Sequence, residues 1–143
     1  PIILFEQPVA REDPLALLAV AKNSRVPVCA DESARKLADV RWLLESGAVQ
    51  AINLKLMKSG LFETLEIYHL WKSAGRSLMI GGMVESVLAM TVSAHFAAGL
   101  GGFAYIDLDT PMWIASHPFR GGFTQDGATL RLGHIAAGHG VSI

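Results

Sequence analysis

The chain has 143 residues and a mass of 15.3 kDa, is 51% hydrophobic, and carries a formal net charge of -1 with a pI near 6.6. That length supports the core of one domain, and the near-neutral charge gives no footing for nucleic acid or an anionic membrane. The single Cys29 excludes an internal disulfide and suits a reducing, cytoplasmic setting. The apolar stretches are broken before about 18 residues, so no transmembrane helix is expected, and the opening at Pro1 does not read as a signal peptide.

In chain order the elements alternate. A short apolar strand, Ile2 to Phe5, ends at Glu6, and Asp13-Pro14 then starts a helix to about Lys22. Val26 to Ala30 is the second strand, ending at Asp31-Glu32. Ser33 is expected to cap a helix that uses Leu37, Val40 and Leu44 and closes at Gly47. Val49 to Leu54 leads to Lys55, and Gly60 precedes a helix from about Leu61 to Ser73. Ser77 to Ile80 leads to Gly81-Gly82, a helix is expected from about Glu85 to Ala98, and Phe103 to Ile106 is the fifth strand, ending at Asp107. Beyond Asp109 the pattern changes: Asp126-Gly127 between Phe123 and Leu130 reads as a small hairpin.

Glu6, Asp31, Lys55, Gly81 and Asp107 follow one another at spacings of 25, 24, 26 and 26 residues. A strand, a helix and two short loops take about that length, so the spacing is that of repeated β/α units. In a parallel barrel all strand carboxyl ends open on one face, where these groups would converge. Glu6 and Asp31 are hard oxygen ligands of the kind Mg²⁺ takes, and a metal there can neutralise charge on a substrate carboxylate. Lys55 beside it, partly desolvated, is expected to have a lowered pKa and to accept a proton alpha to that carboxylate.

Four complete units and a fifth strand are little more than half of an eight-stranded barrel, which takes about 250 residues. His69, His95, Trp42, Trp71 and Trp113 read as packing residues, and His117, His134 and His139 lack metal-ligand spacing. Ser33 and Ser86 read as helix caps, and Gly99 to Gly102 follows a helix where a dinucleotide loop would precede one.

Phe5-Glu6-Gln7-Pro8, Ala30-Asp31-Glu32-Ser33, Ile52 to Gly60 and Gly81 to Ser86 resemble, in order, the motifs of the enolase superfamily, muconate-lactonizing branch. Asp107-Leu108-Asp109 resembles the DxD signature of its dipeptide epimerases, the L-Ala-D/L-Glu epimerase group, and Ser93 to Ala98 is similar to the same group. The resemblance implies an α/β fold: about five strands, with their helices, from the C-terminal part of a modified TIM-type (β/α)7β barrel. It implies that residues 1–143 are the C-terminal portion of the barrel domain, without the N-terminal capping domain and first three barrel strands. It also implies an isomerase that epimerises dipeptides by α-proton abstraction through a Mg²⁺-stabilised enediolate.

The roles it implies are Glu6 and Asp31 as metal ligands and Lys55 as acid/base. Asp107 and Asp109 would grip the dipeptide's α-ammonium, Gly82, Met83 and Val84 would line the substrate site, and Glu32 and Asn53 would support it. The family's first metal-binding Asp and its K-x-K lysine have no counterpart, and Lys58 reads as a loop residue that cannot replace the latter. By itself the chain is expected to be inactive, with a second copy or the missing N-terminal part as its partner. Muconate cycloisomerase or o-succinylbenzoate synthase activity is the alternative within the branch, and a self-associating non-catalytic fragment is the alternative outside it.

Overall fold

The computed structural model describes all residues, 1–143. Five parallel strands, β1 (Phe5–Glu6), β2 (Val28–Ala30), β3 (Ala51–Leu54), β4 (Ser77–Gly81) and β5 (Tyr105–Asp107), lie in chain order in one sheet. Helices α1 (Pro14–Asn23), α2 (Leu37–Ser46), α3 (Leu56–Ser73) and α4 (Val87–Leu100) provide the crossovers. Consecutive parallel strands need such crossovers, and repeating one hand of crossover curls the sheet around an inner face.

The two faces of the sheet have different jobs. Val28, Ala30, Ile52, Leu54, Leu78 and Ile80 point outward and join Leu17, Val40, Leu43, Ile67, Trp71 and Met90 in the main core. On the inner face Cys29, Ala51 and Met79 form a separate small layer, with Leu4 and Tyr105 against it. Because both faces are covered, β2 to β4 are near-continuous apolar runs. Period-2 alternation then puts Glu6, Asp31, Asn53, Gly81 and Asp107 one step above the inner layer, on the same face. Cys29 is core, as expected, and burial first, then the Glu6 and Asp31 charges, push its thiol far up.

The helix boundaries largely agree with the expected ones. Asp13 accepts from Ala16 N at 2.9 Å, Gly47 takes φ 67° at the end of α2, and Ser86 caps α4. Ser33 does not cap α2: the helix starts four residues later, where Asp39 accepts from Lys36 N at 2.9 Å, and Ser33 is held by Gln7 instead. Gly60 (φ 72°, ψ 172°) breaks α3 and separates the main helix from one turn, Leu56 to Ser59, that the sequence pattern leaves as loop. Trp71 is buried and donates to Ser77 O at 2.8 Å, whereas Trp42 and Trp113 stand 38% and 76% exposed, against the expectation that they pack.

After β5 come a 3-10 turn (Thr110–Trp113) and short antiparallel pairs. β7 (Thr124–Asp126) and β8 (Thr129–Arg131) form the expected hairpin, and β6 (Arg120–Gly121) pairs with β9 (Val141–Ser142), which no sequence signal announces. No helix is long and apolar enough to cross a membrane.

Candidate active site

At the carboxyl end of β2, Asp31 is 4% exposed, a burial that a bare carboxylate could not sustain. Two lysines share it. Lys55 Nζ lies 2.6 Å from Oδ2 and Lys58 Nζ 2.8 Å from Oδ1, with the lysine side chains 12% and 1% exposed. Lys58 also donates to Asp31 O at 2.8 Å and to Asn53 O at 2.7 Å, so all three ammonium protons have partners. Sequence reasoning missed this residue. The isolated turn after β3, tied by Lys58 N to Lys55 O at 2.9 Å, folds Lys58 back under the strand ends.

The charges divide accordingly. Burial works against the Asp31 carboxylate, but Lys58 and then Lys55 outweigh it and hold the group below its ordinary range. Burial also pulls Lys55 down, yet Asp31, with Glu32 and Glu6 further off, leaves it above an ordinary lysine. At Lys58 burial prevails over the same carboxylate and leaves the ammonium below an ordinary lysine.

Glu6, across from Cys29 on β1, accepts from Asn53 Nδ2 at 2.7 Å. Burial first, and the nearby Asp31 carboxylate, raise its pKa despite that bond. Glu6 and Asp31 sit at neighbouring strand ends, near enough for the charge of one to act on the other, and Mg²⁺ is commonly held by one or two protein carboxylates, with waters and substrate completing its shell. No group of three His, Cys, Asp or Glu side chains gathers in the molecule, so this pair is the chain's own contribution to such a site. Asn53 adds a buried Oδ1 with no partner. A Cβ at Gly81 would lie 2.8 Å from Asn53 Nδ2 and 2.9 Å from Oδ1, so glycine there is what lets Asn53 reach Glu6.

Asp107 ends β5 on the same face, close enough for Lys55 and Asp31 to influence it. Its carboxyl is raised by burial first and then by Asp109. Asp109 Oδ2 accepts from Trp113 Nε1 at 3.2 Å, a contact with no sequence signature. A Cβ at Gly82 would strike Met90 Sδ at 2.6 Å, and Met83 N donates to the buried Glu85 at 2.9 Å. Val84 is 82% exposed and borders an apolar groove with Met57, Leu61 and Leu88 between the starts of α3 and α4. Glu32 makes no side-chain hydrogen bond and reaches Lys55 only through its charge.

The family described as enolase C-terminal domain-like matches residues 2–143. An aromatic dipeptide epimerase of Herpetosiphon aurantiacus is 53% identical over 143 residues, all of this chain and 40% of that protein. A solved mandelate racemase/muconate lactonizing protein from the same organism superposes with TM-score 0.94 at 53% identity, again over 100% of this chain and 40% of the other. A dipeptide epimerase from Cytophaga hutchinsonii, solved with Mg and the dipeptide D-Ala-L-Val, is 34% identical with TM-score 0.91, over 99% of this chain and 39% of that one. The chain thus spans about 40% of the length of such relatives.

Proposed function

Since the chain belongs to the enolase C-terminal domain-like family, we propose that it is the C-terminal portion of the barrel domain of a dipeptide epimerase, an isomerase, whose capping domain and first three barrel strands lie in a longer protein. The observation that carries this reading is the convergence of Glu6, Asp31, Lys55 and Asp107 on one face at four strand ends.

Glu6 and Asp31 are the residues that would hold Mg²⁺. Bound there, the ion supplies Lewis-acid neutralisation of charge on the substrate carboxylate. Lys55 moves the α-proton on one face of the substrate, and to accept it the ammonium must shed a proton and leave Asp31 Oδ2. Lys58 remains on Oδ1 meanwhile, so Asp31 is never a buried charge without a partner. Asp107 and Asp109 take the α-ammonium of the dipeptide through charge-assisted hydrogen bonds. Asn53 fixes Glu6, and Gly82 to Val84 border the substrate. A base on the opposite face, needed to invert the α-carbon, comes from the N-terminal portion. The buried thiol of Cys29 suits a cytoplasmic enzyme.

The test is α-proton exchange in D₂O, followed by NMR on the full-length protein with aromatic and Ala-Glu dipeptides. Lys55→Ala should cut exchange about 10²- to 10⁴-fold while dipeptide still binds. Asp109→Asn should weaken dipeptide binding by about 1.5 to 3 kcal/mol. Turnover of muconate or the o-succinylbenzoate precursor, with no exchange in any dipeptide, would replace this reading with the sister activity.

A further inference from the structure

Gln7 is the one non-glycine residue of the chain with positive φ, at 34°. That conformation is costly for an unbranched polar side chain and persists only where the surroundings over-determine it. Here they do. Gln7 N still donates to Cys29 O at 2.9 Å, the last backbone rung from β1 to β2. The next rung of a parallel ladder would run from Asp31 N to the backbone carbonyl of Gln7. The turn at Gln7 removes that carbonyl, and Asp31 N donates to the Gln7 side-chain Oε1 at 2.9 Å instead.

The same Oε1 accepts from Ser33 N at 3.1 Å, while Nε2 donates to Ser33 Oγ at 2.9 Å and to Val9 O at 3.0 Å. One amide therefore closes the first two strand ends together. It sits beside Glu6 in sequence and on the backbone of Asp31 in space, and it touches neither carboxylate.

We infer that Gln7 is a positioning residue that sets the separation of the Glu6 and Asp31 carboxylates, by replacing the missing ladder rung with its side chain. The inference rests on the reading of those two residues as metal ligands. Asp31 then has its N–H held by Gln7, its carbonyl by Lys58 and Ala34 N, and its carboxylate by the two lysines. Of the hydrogen bonds made by the Asp31 backbone, the one to Gln7 reaches the strand carrying Glu6.

Gln7→Asn separates clamp from backbone, because Asn tolerates positive φ but is one methylene too short to span the same partners. Gln7→Gly, which removes the strain entirely, is the second variant should the first fold poorly. In the full-length protein, two readouts are taken: Mg²⁺ affinity by isothermal titration calorimetry, and hydrogen exchange of the segment containing Asp31 and Ser33 without metal. The expected result is a Mg²⁺ dissociation constant raised about 10- to 100-fold, faster exchange at 31–33, and a metal-free melting temperature close to wild type. Faster exchange with a dissociation constant within about twofold of wild type overturns the positioning role alone, because a purely structural clamp would do that. Wild-type protein that takes up no Mg²⁺ overturns the metal reading of Glu6 and Asp31, and this role with it.

Discussion

The centre of the sheet and its two edges differ in what holds their polar strand-end groups. Strands β2 to β4 are buried at every residue but Ser77, while β1 and β5 are almost wholly exposed and pair on one side only. Asp31, Asn53, Lys55 and Lys58 come from the centre, where each side chain has a partner inside the chain. Glu6 and Asp107 stand at the edges, and Ile2, Ile3, Phe5 and Ile106 beside them are 46% to 77% exposed. The central polar side chains are thus preorganised by this chain's own ion pairs, and the outer carboxylates sit on strands with open hydrogen-bonding sides.

The sharpest way to break the centre is Lys58→Met, which keeps the apolar stem and deletes the ammonium. Asp31 Oδ1 loses its partner, and the carbonyls of Asp31 and Asn53 lose a donor. Removing one member of a buried pair costs about 3 to 5 kcal/mol, read by urea unfolding of the full-length protein. A loss below about 1 kcal/mol would mean that Lys55 alone sustains Asp31, and that centre and edge differ less than their burial suggests.

A smaller effect is expected at the edges. Expressed by itself, the 143-residue chain should self-associate through its unpaired backbone and exposed apolar side chains. Replacing Ile3 and Ile106 together by Lys should weaken that association about tenfold or more in sedimentation experiments, with little change in melting temperature. Wild-type chain that sediments as a 15.3 kDa monomer would show that the edges are closed from within.

The smallest effect is at Asp107. Its carboxyl lies above the ordinary aspartate value of 3.8, through burial first and Asp109 second. A carboxyl raised in the folded state opposes folding when ionised, so the penalty is present above its folded pKa and vanishes below the unfolded value. Asp107→Asn should therefore raise the melting temperature only slightly at pH 7, because β5 is open to solvent and the charge is screened, and leave it unchanged near pH 3. An equal shift at both pH values would assign the gain to packing.

Much of the centre was legible. Strand ends recur at the unit length, so Asp31, Lys55 and Gly81 could be placed on one face before any coordinate, and Asp13, Gly47 and Asp126-Gly127 each carry local chemistry that decides a cap or turn. Lys58 was not legible. Its position depends on Gly60 breaking α3 after a single turn, and helical periodicity over four residues signals nothing. Ser33 went to Gln7 because a long-range amide offers both a donor and an acceptor, which a local cap does not.

By itself, the amino-acid sequence determined the order of the β/α units, the face on which the polar strand-end residues lie, and the family. Periods of 2 and about 25 residues are properties of the chain, and each strand repeats them. Tertiary structure alone decided which lysine is buried, that Asp31 lies between Lys55 and Lys58, and that a strained glutamine bridges Glu6's strand to Asp31. Those outcomes depend on distances of a few ångströms between residues some 24 to 27 apart in sequence, and electrostatic and hydrogen-bond energies change steeply over such distances.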